Sequence, residues 1–402
     1  MSSQSKSTQS SPVIIFDTTL RDGEQSAGVA FSLADKIEIA RDLAAMRVDV
    51  IEVGFPAASP AEHEAVAAIV RAVRGVRVAA LARAVESDVD AAGAALEGAE
   101  APRIHVFLSA SEVHLRHQLR KDREQVLRMT DAMVRRARRY TDDVEFSPMD
   151  ATRSDVAFVA EVVRVAIRAG ASTINVPDTV GWVTPMVLAA RIEELRRRVP
   201  EIDAAVISFH GHDDLGLATA NALAAVGAGA RQVEVTVNGI GERAGNTPLE
   251  EVVMAIHVHG EAMGVHTHVD TRGIHPISRK VAERSGIGVA ANKAVVGRNA
   301  FRHASGIHQD GVVKFRETYE VLDPAAVGNE RGSEIVLGKL SGRAGFRARA
   351  AELGMALADH ELDAAFERFQ EIADRSREVG DDVVREIVRF ARGEAECHAS
   401  VA

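Results

Sequence analysis

Short β-branched runs recur along the chain at intervals of roughly 25 to 35 residues, separated by Ala-, Arg- and Glu-rich stretches with apolar positions at helical spacing. The candidate strands are Val13–Phe16, Val50–Val53, Val76–Leu81, Ile104–Leu108, Val144–Phe146, Thr173–Val176, Val206–Phe209 and Val233–Val237. Eight strands alternating with helices is the count that closes a parallel barrel. Helix starts are marked: Ser32-Leu33-Ala34-Asp35 has the form of a capping box with Asp in the Glu place, and Thr184-Pro185 sets Pro at a first helical position. An open doubly wound sheet would usually carry a Gly-rich turn after its first strand, where this chain has Thr18-Thr19-Leu20-Arg21-Asp22-Gly23. The pattern therefore predicts an α/β fold, a (β/α)8 TIM barrel over residues 13–272.

After residue 272 the strand rhythm stops, and 273–402 reads as a mainly helical linker and subdomain region contributing to a dimer and to the active site. The segment Gly297 to Gly332 reads as a long polar loop; such loops are functional or disordered, and His303, His308 and Tyr319 favour function. His360 to Phe390 reads as amphipathic helix, expected to pack on the barrel or on a second subunit. Residues 1–12 read as a disordered tail, because Met1 to Ser11 is Ser/Gln-rich and lacks the apolar stretch of a signal peptide.

Composition narrows the function classes. Hydrophobic residues at 46% with 26% charged residues give a globular chain with ample core. With 48 basic against 58 acidic side chains, no basic stripe and few aromatics, nucleic acid is not an expected partner. No apolar run approaches the roughly 18 residues of a membrane span, so no membrane partner is expected. The one cysteine, Cys397, builds neither a disulfide framework nor a CxxC site and suits a reducing, cytoplasmic setting.

In a barrel, residues at the C-terminal strand ends face one mouth. Strand one is followed by Arg21, Asp22, Glu24 and Gln25, and strand two by Glu52. His105 lies on strand four. Later strands bring Glu145, Asp150, Asp178, Thr179, His210, His212, Asp214, Asn238, Glu242, Arg243 and Asn246. His210 and His212 are two apart and so point to one side. Asp22 supplies an anionic third ligand, with Asp17 as competitor, and Asn246 a neutral oxygen; such a set holds one divalent cation with positions open. A cation beside Arg21 suits polarisation of a carbonyl and stabilisation of an oxyanion. Arg21, His105 and Thr179 are the candidate substrate contacts, Thr179 as donor to a carboxylate. Glu145 reads as an acid/base or as a buried carboxylate at a helix N-terminus, and His308 as a proton-transfer group or an exposed loop histidine.

Phe16-Asp17-Thr18-Thr19-Leu20-Arg21-Asp22-Gly23-Glu24-Gln25 resembles the signature of the acyl-CoA condensing metalloenzymes: the 2-isopropylmalate, homocitrate and citramalate synthases. The stretch His210 to Asn246 is similar to their second signature. Ser305 to Gly311 with Thr318-Tyr319-Glu320 resembles most the 2-isopropylmalate synthase branch. The resemblance runs from about residue 13 to 345 and implies a barrel, a linker region and a homodimer whose linkers reach the partner's barrel mouth. It implies a metal site of Asp22, His210, His212 and Asn246 for Mg²⁺, Mn²⁺ or Zn²⁺. Arg21 would stabilise the enolate or alkoxide, Thr179 would hold the 2-oxo acid carboxylate, and His308 and Glu145 would move protons, assisted by Tyr319. The implied reaction condenses acetyl-CoA with a 2-oxo acid, first of all 2-oxoisovalerate, then hydrolyses the thioester.

Four departures stand out. Asp213 replaces a usual Asn, Met149 a usual Glu and Leu340 a usual His. The chain also ends without the regulatory domain of leucine-inhibited members, which predicts no leucine feedback. Met149 bears on substrate identity, so 2-oxoglutarate, pyruvate or an aryl or phosphonate oxo acid is the alternative. Cleavage of the hydroxymethylglutaryl-CoA lyase type relies on a loop cysteine, for which Cys397 is badly placed. A biotin-linked carboxyltransferase would need a carrier segment, and none is seen. A non-enzymatic binding module would have an eroded site, whereas every proposed ligand is present.

Overall fold

The computed structural model describes residues 10–394, so Met1 to Gln9 and Cys397 lie outside the described residues. Two compact units are present, one reaching to Val289 and one from Ala290 onward. In the first, eight parallel strands close into a barrel: β1 (Ile14–Asp17), β2 (Val50–Glu52), β3 (Arg77–Arg83), β4 (Pro102–Ser109), β5 (Val144–Met149), β6 (Thr173–Asp178), β7 (Val206–Gly211) and β8 (Gln232–Val235). The circle shuts by pairing Ile14 to Asp17 of β1 with Gln232 to Val235 of β8. Between strands lie α1 (Leu33–Ala45), α2 (Pro60–Ala72), α3 (Glu86–Ala95), α4 (Arg123–Ala137), α5 (Val156–Ala169), α6 (Pro185–Arg198) and α7 (Ala218–Gly227), with α8 (Leu249–Met263) after β8.

Local chemistry accounts for the helix starts. Ser32 accepts from the Asp35 amide while the Asp35 carboxylate accepts from the Ser32 amide, a complete capping box on α1. Pro185 occupies the first turn of α6 as its missing N–H allows.

Strands β4 to β8 are mainly polar on one face and apolar on the other. Ile104, Val106, Phe146, Phe209, Val233 and Val235 are buried, as strand residues covered by helices should be. Arg103, Glu145 and Gln232 alternate with them: Arg103 Nη1 donates to Glu145 Oε2 on the neighbouring strand at 2.9 Å and across the barrel to Gln232 Oε1 at 2.7 Å, and Gln232 Nε2 donates to Glu145 Oε1 at 2.9 Å. Bonds from β4 and β5 to β8 can only run through the barrel interior. One side of that interior is a polar network, and Phe16, Val50 and Ala79 of β1 to β3 fill the other with an apolar cluster.

Three expectations change. The chain is ordered before residue 13, because Ser11–Pro12 pairs in parallel with Val265–His266. The first unit runs past residue 272: α9 (Ile274–Ser285) is tied to α1 by Lys280 on Glu38 and Asp42 and by Arg284 on Asp35. The segment Gly297 to Gly332 is not a structureless loop, since Arg302–His303 pairs with Glu334–Ile335 and α10 spans Gly306–Lys314.

The second unit also holds α11 (Arg343–Glu352), α12 (Asp359–Ala373) and α13 (Asp381–Ala391). The stretch from His360 to Phe390 is therefore two helices, with Gly380 capping the second. Their apolar faces meet α11 in a separate core of Phe346, Leu362, Phe366, Phe369, Val384 and Ile387. Among the described residues no helix is long and apolar enough to cross a membrane.

Candidate active site

The C-terminal strand ends enclose a cavity of about 270 Å³. Of the residues singled out from the sequence, Arg21, Asp22, Gln25, His105, Thr179, His210, His212, Glu242 and Arg243 line it. Asp22 Oδ2 lies 3.5 Å from His210 Nε2, and the Nε2 atoms of His210 and His212 face each other at 3.1 Å. Donors about 2.0–2.2 Å from a shared cation come about 3 Å apart at right angles, so this spacing suits two imidazoles on one ion.

His210 Nδ1 meets Glu234 Oε2 at 2.8 Å, so Nδ1 carries a proton and Nε2 faces the cavity; burial lowers the His210 pKa, but Glu234 and Asp22 outweigh it and raise it above the ordinary value. Burial and the neighbouring His210 push His212 down to about 3, so its imidazole is neutral at pH 7. Burial raises the Asp22 carboxyl, but Arg21 and the two histidines overcome it and hold Asp22 well below the usual carboxylate range. Asn246, bridged to His212 through the backbone, donates from Nδ2 to the Ile240 carbonyl, and its buried Oδ1 has no partner. A carboxylate, two imidazoles and an orphaned amide oxygen fit a divalent cation, which would take the place of a proton on His210 Nε2.

Arg21 is fixed by two carboxylates, Nη1 on Asp22 at 2.7 Å and Nε on Glu52 at 2.6 Å. Glu52 also accepts from Thr18 and meets His105 Nδ1 at 2.8 Å. Burial lowers the His105 pKa, but Glu52 outweighs it and carries the imidazole to about 9. The resulting imidazolium points Nε2 at Ser147 Oγ, 2.7 Å away. Thr179 Oγ1 accepts from the Asp150 amide, which leaves its own proton for a ligand.

Several candidates fall elsewhere. Glu145 does not line the cavity: it is the second residue of β5, wholly buried, and its oxygens are engaged by Arg103 and Gln232. A carboxylate saturated in the interior layer is not placed to exchange protons with a substrate, and the acid/base reading of Glu145 is corrected accordingly. Asp17 is no competitor for the metal either, since both its oxygens accept from Thr19. Glu24 pairs with Lys36, Asp178 receives Thr152 and the Val183 amide, and Asp214 pairs with Arg243. Asp213 caps α7 by accepting from the Ala218 amide, so that departure is structural.

His308 and Tyr319 belong to the second unit. Their rings stack at 3.9 Å with planes 14° apart, and His303 Nε2 meets Glu320 Oε1 at 2.8 Å beside them. Gly311 makes the stack possible, because a Cβ there would meet the Tyr319 ring at 2.5 Å. Leu340 is largely exposed on the same unit. Sequence reading passed over Ser147, Asn175 and Glu234, which also line the cavity. The signal was present as period-2 polarity in Gln232-Val233-Glu234-Val235.

The HMGL-like family matches residues 12–281, and the homocitrate synthase post-HMGL domain-like family matches 295–377. The 2-isopropylmalate synthase of Pyrococcus furiosus is 53% identical over 387 residues, 96% of this chain and 77% of that one. That of Pelotomaculum thermopropionicum is 51% identical, covering 94% of this chain and 74% of its own. This chain belongs to the 2-isopropylmalate synthase family. Among solved structures, hydroxymethylglutaryl-CoA lyase from Pseudomonas aeruginosa shares the fold at TM-score 0.60 and 25% identity, over 70% of this chain and 96% of the lyase. The synthase relatives extend over far more of the chain than that lyase, beyond the barrel and through the unit that carries His308 and Tyr319.

Proposed function

We propose that this enzyme condenses acetyl-CoA with 2-oxoisovalerate and hydrolyses the resulting thioester, releasing 2-isopropylmalate and CoA. The observation that carries the reading is the meeting of Asp22, His210 and His212 in the barrel mouth, in a chain half identical to 2-isopropylmalate synthases. Bound by these residues and Asn246, a divalent cation (Mg²⁺, Mn²⁺ or Zn²⁺) would polarise the ketone of the oxo acid. Thr179 donates its hydroxyl proton to the oxo acid carboxylate, and the His105 imidazolium holds Ser147 against the same wall. Arg21 sits where negative charge develops on the attacked oxygen, pre-oriented by Asp22 and Glu52.

With Glu145 removed from the proton chemistry, His308 is the candidate base for the acetyl methyl proton, its ring oriented by Tyr319. The enolate carbon forms a bond to the ketone carbon, the alkoxide takes a proton, and water then cleaves the thioester to a carboxylate and CoA thiol. The reading includes a homodimer, with the linker unit of one subunit serving the partner's mouth, and a cytoplasmic location. Leu81, Phe107, Met149 and Pro177 line one side of the cavity and suit an aliphatic substrate side chain over a second carboxylate.

The test is CoA release, followed by thiol detection, over a panel of 2-oxo acids with each cation. Release strongest with 2-oxoisovalerate supports the proposal. Release only with another oxo acid transfers the chemistry to that substrate, and no release with any overturns condensation. His308→Ala should cost roughly 10²–10⁴ in rate, as loss of a general acid/base does; an unchanged rate removes His308 from the mechanism.

A further inference from the structure

The segment after β4 is strongly cationic. From His114 to Arg123 it reads His-Leu-Arg-His-Gln-Leu-Arg-Lys-Asp-Arg, four arginine or lysine residues against one aspartate in a chain of net charge −10. It makes a π-helical turn at Leu115–Leu119 that ends on Arg120 in the left-handed region, φ 52°. Both features cost energy and recur at functional positions.

The turn is anchored beside the cavity. Leu115 is buried, and the Lys121 amide donates back to its carbonyl at 3.1 Å. His114 Nδ1 meets Ser109 Oγ at 2.9 Å, and Ser109 Oγ donates to the carbonyl of Met149, a cavity-lining residue, at 3.2 Å. Arg116, His117 and Arg120 are exposed and Lys121 half-buried. Arg123 is engaged by Glu112 and Asp155, and Arg116 lies 3.7 Å from Glu112. His117, Arg120 and Lys121 make no ion pair among the described residues. The guanidiniums that line the cavity are committed, Arg21 to Asp22 and Glu52, and Arg243 to Asp214 and the Thr179 carbonyl.

We propose that Arg116, Arg120 and Lys121 bind the phosphates of the coenzyme A arm, so that its thioester end enters the mouth. The inference rests on the reading of acetyl-CoA as co-substrate. Coenzyme A is a polyanion approaching an acidic protein, so its phosphates need a local positive field. Arginine forks and a lysine ammonium supply both the field and charge-assisted hydrogen bonds.

The full chain and its R116Q/R120Q/K121Q variant decide the matter by steady-state kinetics. KM for acetyl-CoA should rise about tenfold in the variant, a loss of about 1.4 kcal/mol, with kcat and the KM for the oxo acid unchanged. KM for acetyl-S-pantetheine, which has no nucleotide phosphates, should be the same in both proteins. The acetyl thioester of dephospho-CoA then separates the 3′-phosphate from the pyrophosphate. Added NaCl should raise the wild-type KM for acetyl-CoA more steeply than that of the variant. An unchanged KM for acetyl-CoA, or an equal rise with acetyl-S-pantetheine, overturns the proposal. If the wild type shows no turnover, the condensation reading fails separately; calorimetric titration with CoA itself still decides the phosphate site, and equal affinities for both proteins would reject it.

Discussion

Glu234 and Glu52 hold the site's cationic and metal-ligating groups in the states the chemistry requires. Glu234 fixes the tautomer of His210, and loss of such a partner typically lowers metal affinity 10–100-fold. Glu234→Gln should therefore weaken Mn²⁺ binding in calorimetry by that factor. His212→Ala should remove metal-dependent turnover altogether while circular dichroism stays native. Full activity of the alanine variant in a chelator would eliminate the metal centre. Glu52 acts on His105, whose folded pKa near 9 lies above the ordinary 6.5. A raised histidine pKa contributes stability that is complete below about pH 6.5 and lost as pH rises through 9. The urea midpoint should thus fall between pH 7 and 9 in the wild type, and much less in His105→Gln. Burial raises Glu145 and Asp17 to about 7, so their ionisation acts mainly below that window. Parallel profiles for the two proteins would show that the Glu52–His105 pair does not control alkaline stability.

At the level of elements, what could be read from sequence depended on whether neighbours decide the outcome. The strand positions were legible because β-branched runs and capping residues act locally. Strand ends were not: the apolar runs stop at Phe146, Val176 and Phe209, yet Pro148, Pro177 and Gly211 beyond them each lie within a strand or at its end. The prolines remain compatible with the ladder where their missing N–H is not called on. That error put Glu145 at the mouth, when two further turns of the pleat lie above it. Asn246 was legible as a ligand type, but its seat depends on a tight return. Gly245, at φ 99°, is packed so that a Cβ would overlap the Gly239 carbonyl oxygen. Gly245→Ala should accordingly displace Asn246 and lower metal affinity at least tenfold. Gly75→Ala is the control, with φ 70° but open space around it; it should cost only backbone strain of about 1–2 kcal/mol and leave metal binding unchanged. Equal metal affinities in both variants would mean that Asn246 is not held by this turn.

Across the whole molecule, the division of labour between two separately cored units has a thermodynamic consequence. Every proposed metal ligand, from Asp22 to Asn246, belongs to the barrel unit, whereas α11, α12 and α13 pack a core of their own. A ligand that binds only the folded barrel stabilises it by about 2.7 kcal/mol at a hundredfold excess over its dissociation constant. For a unit of this size that corresponds to roughly 4–5 °C in Tm. Hydrogen exchange followed by mass spectrometry can assign the effect to segments. Added Mn²⁺ should protect β1, β7 and β8 against heat and leave α12 and α13 unchanged, and His212→Ala should abolish the difference. Protection spread equally over α12 and α13, or preserved in His212→Ala, would contradict a cation held by the barrel mouth alone.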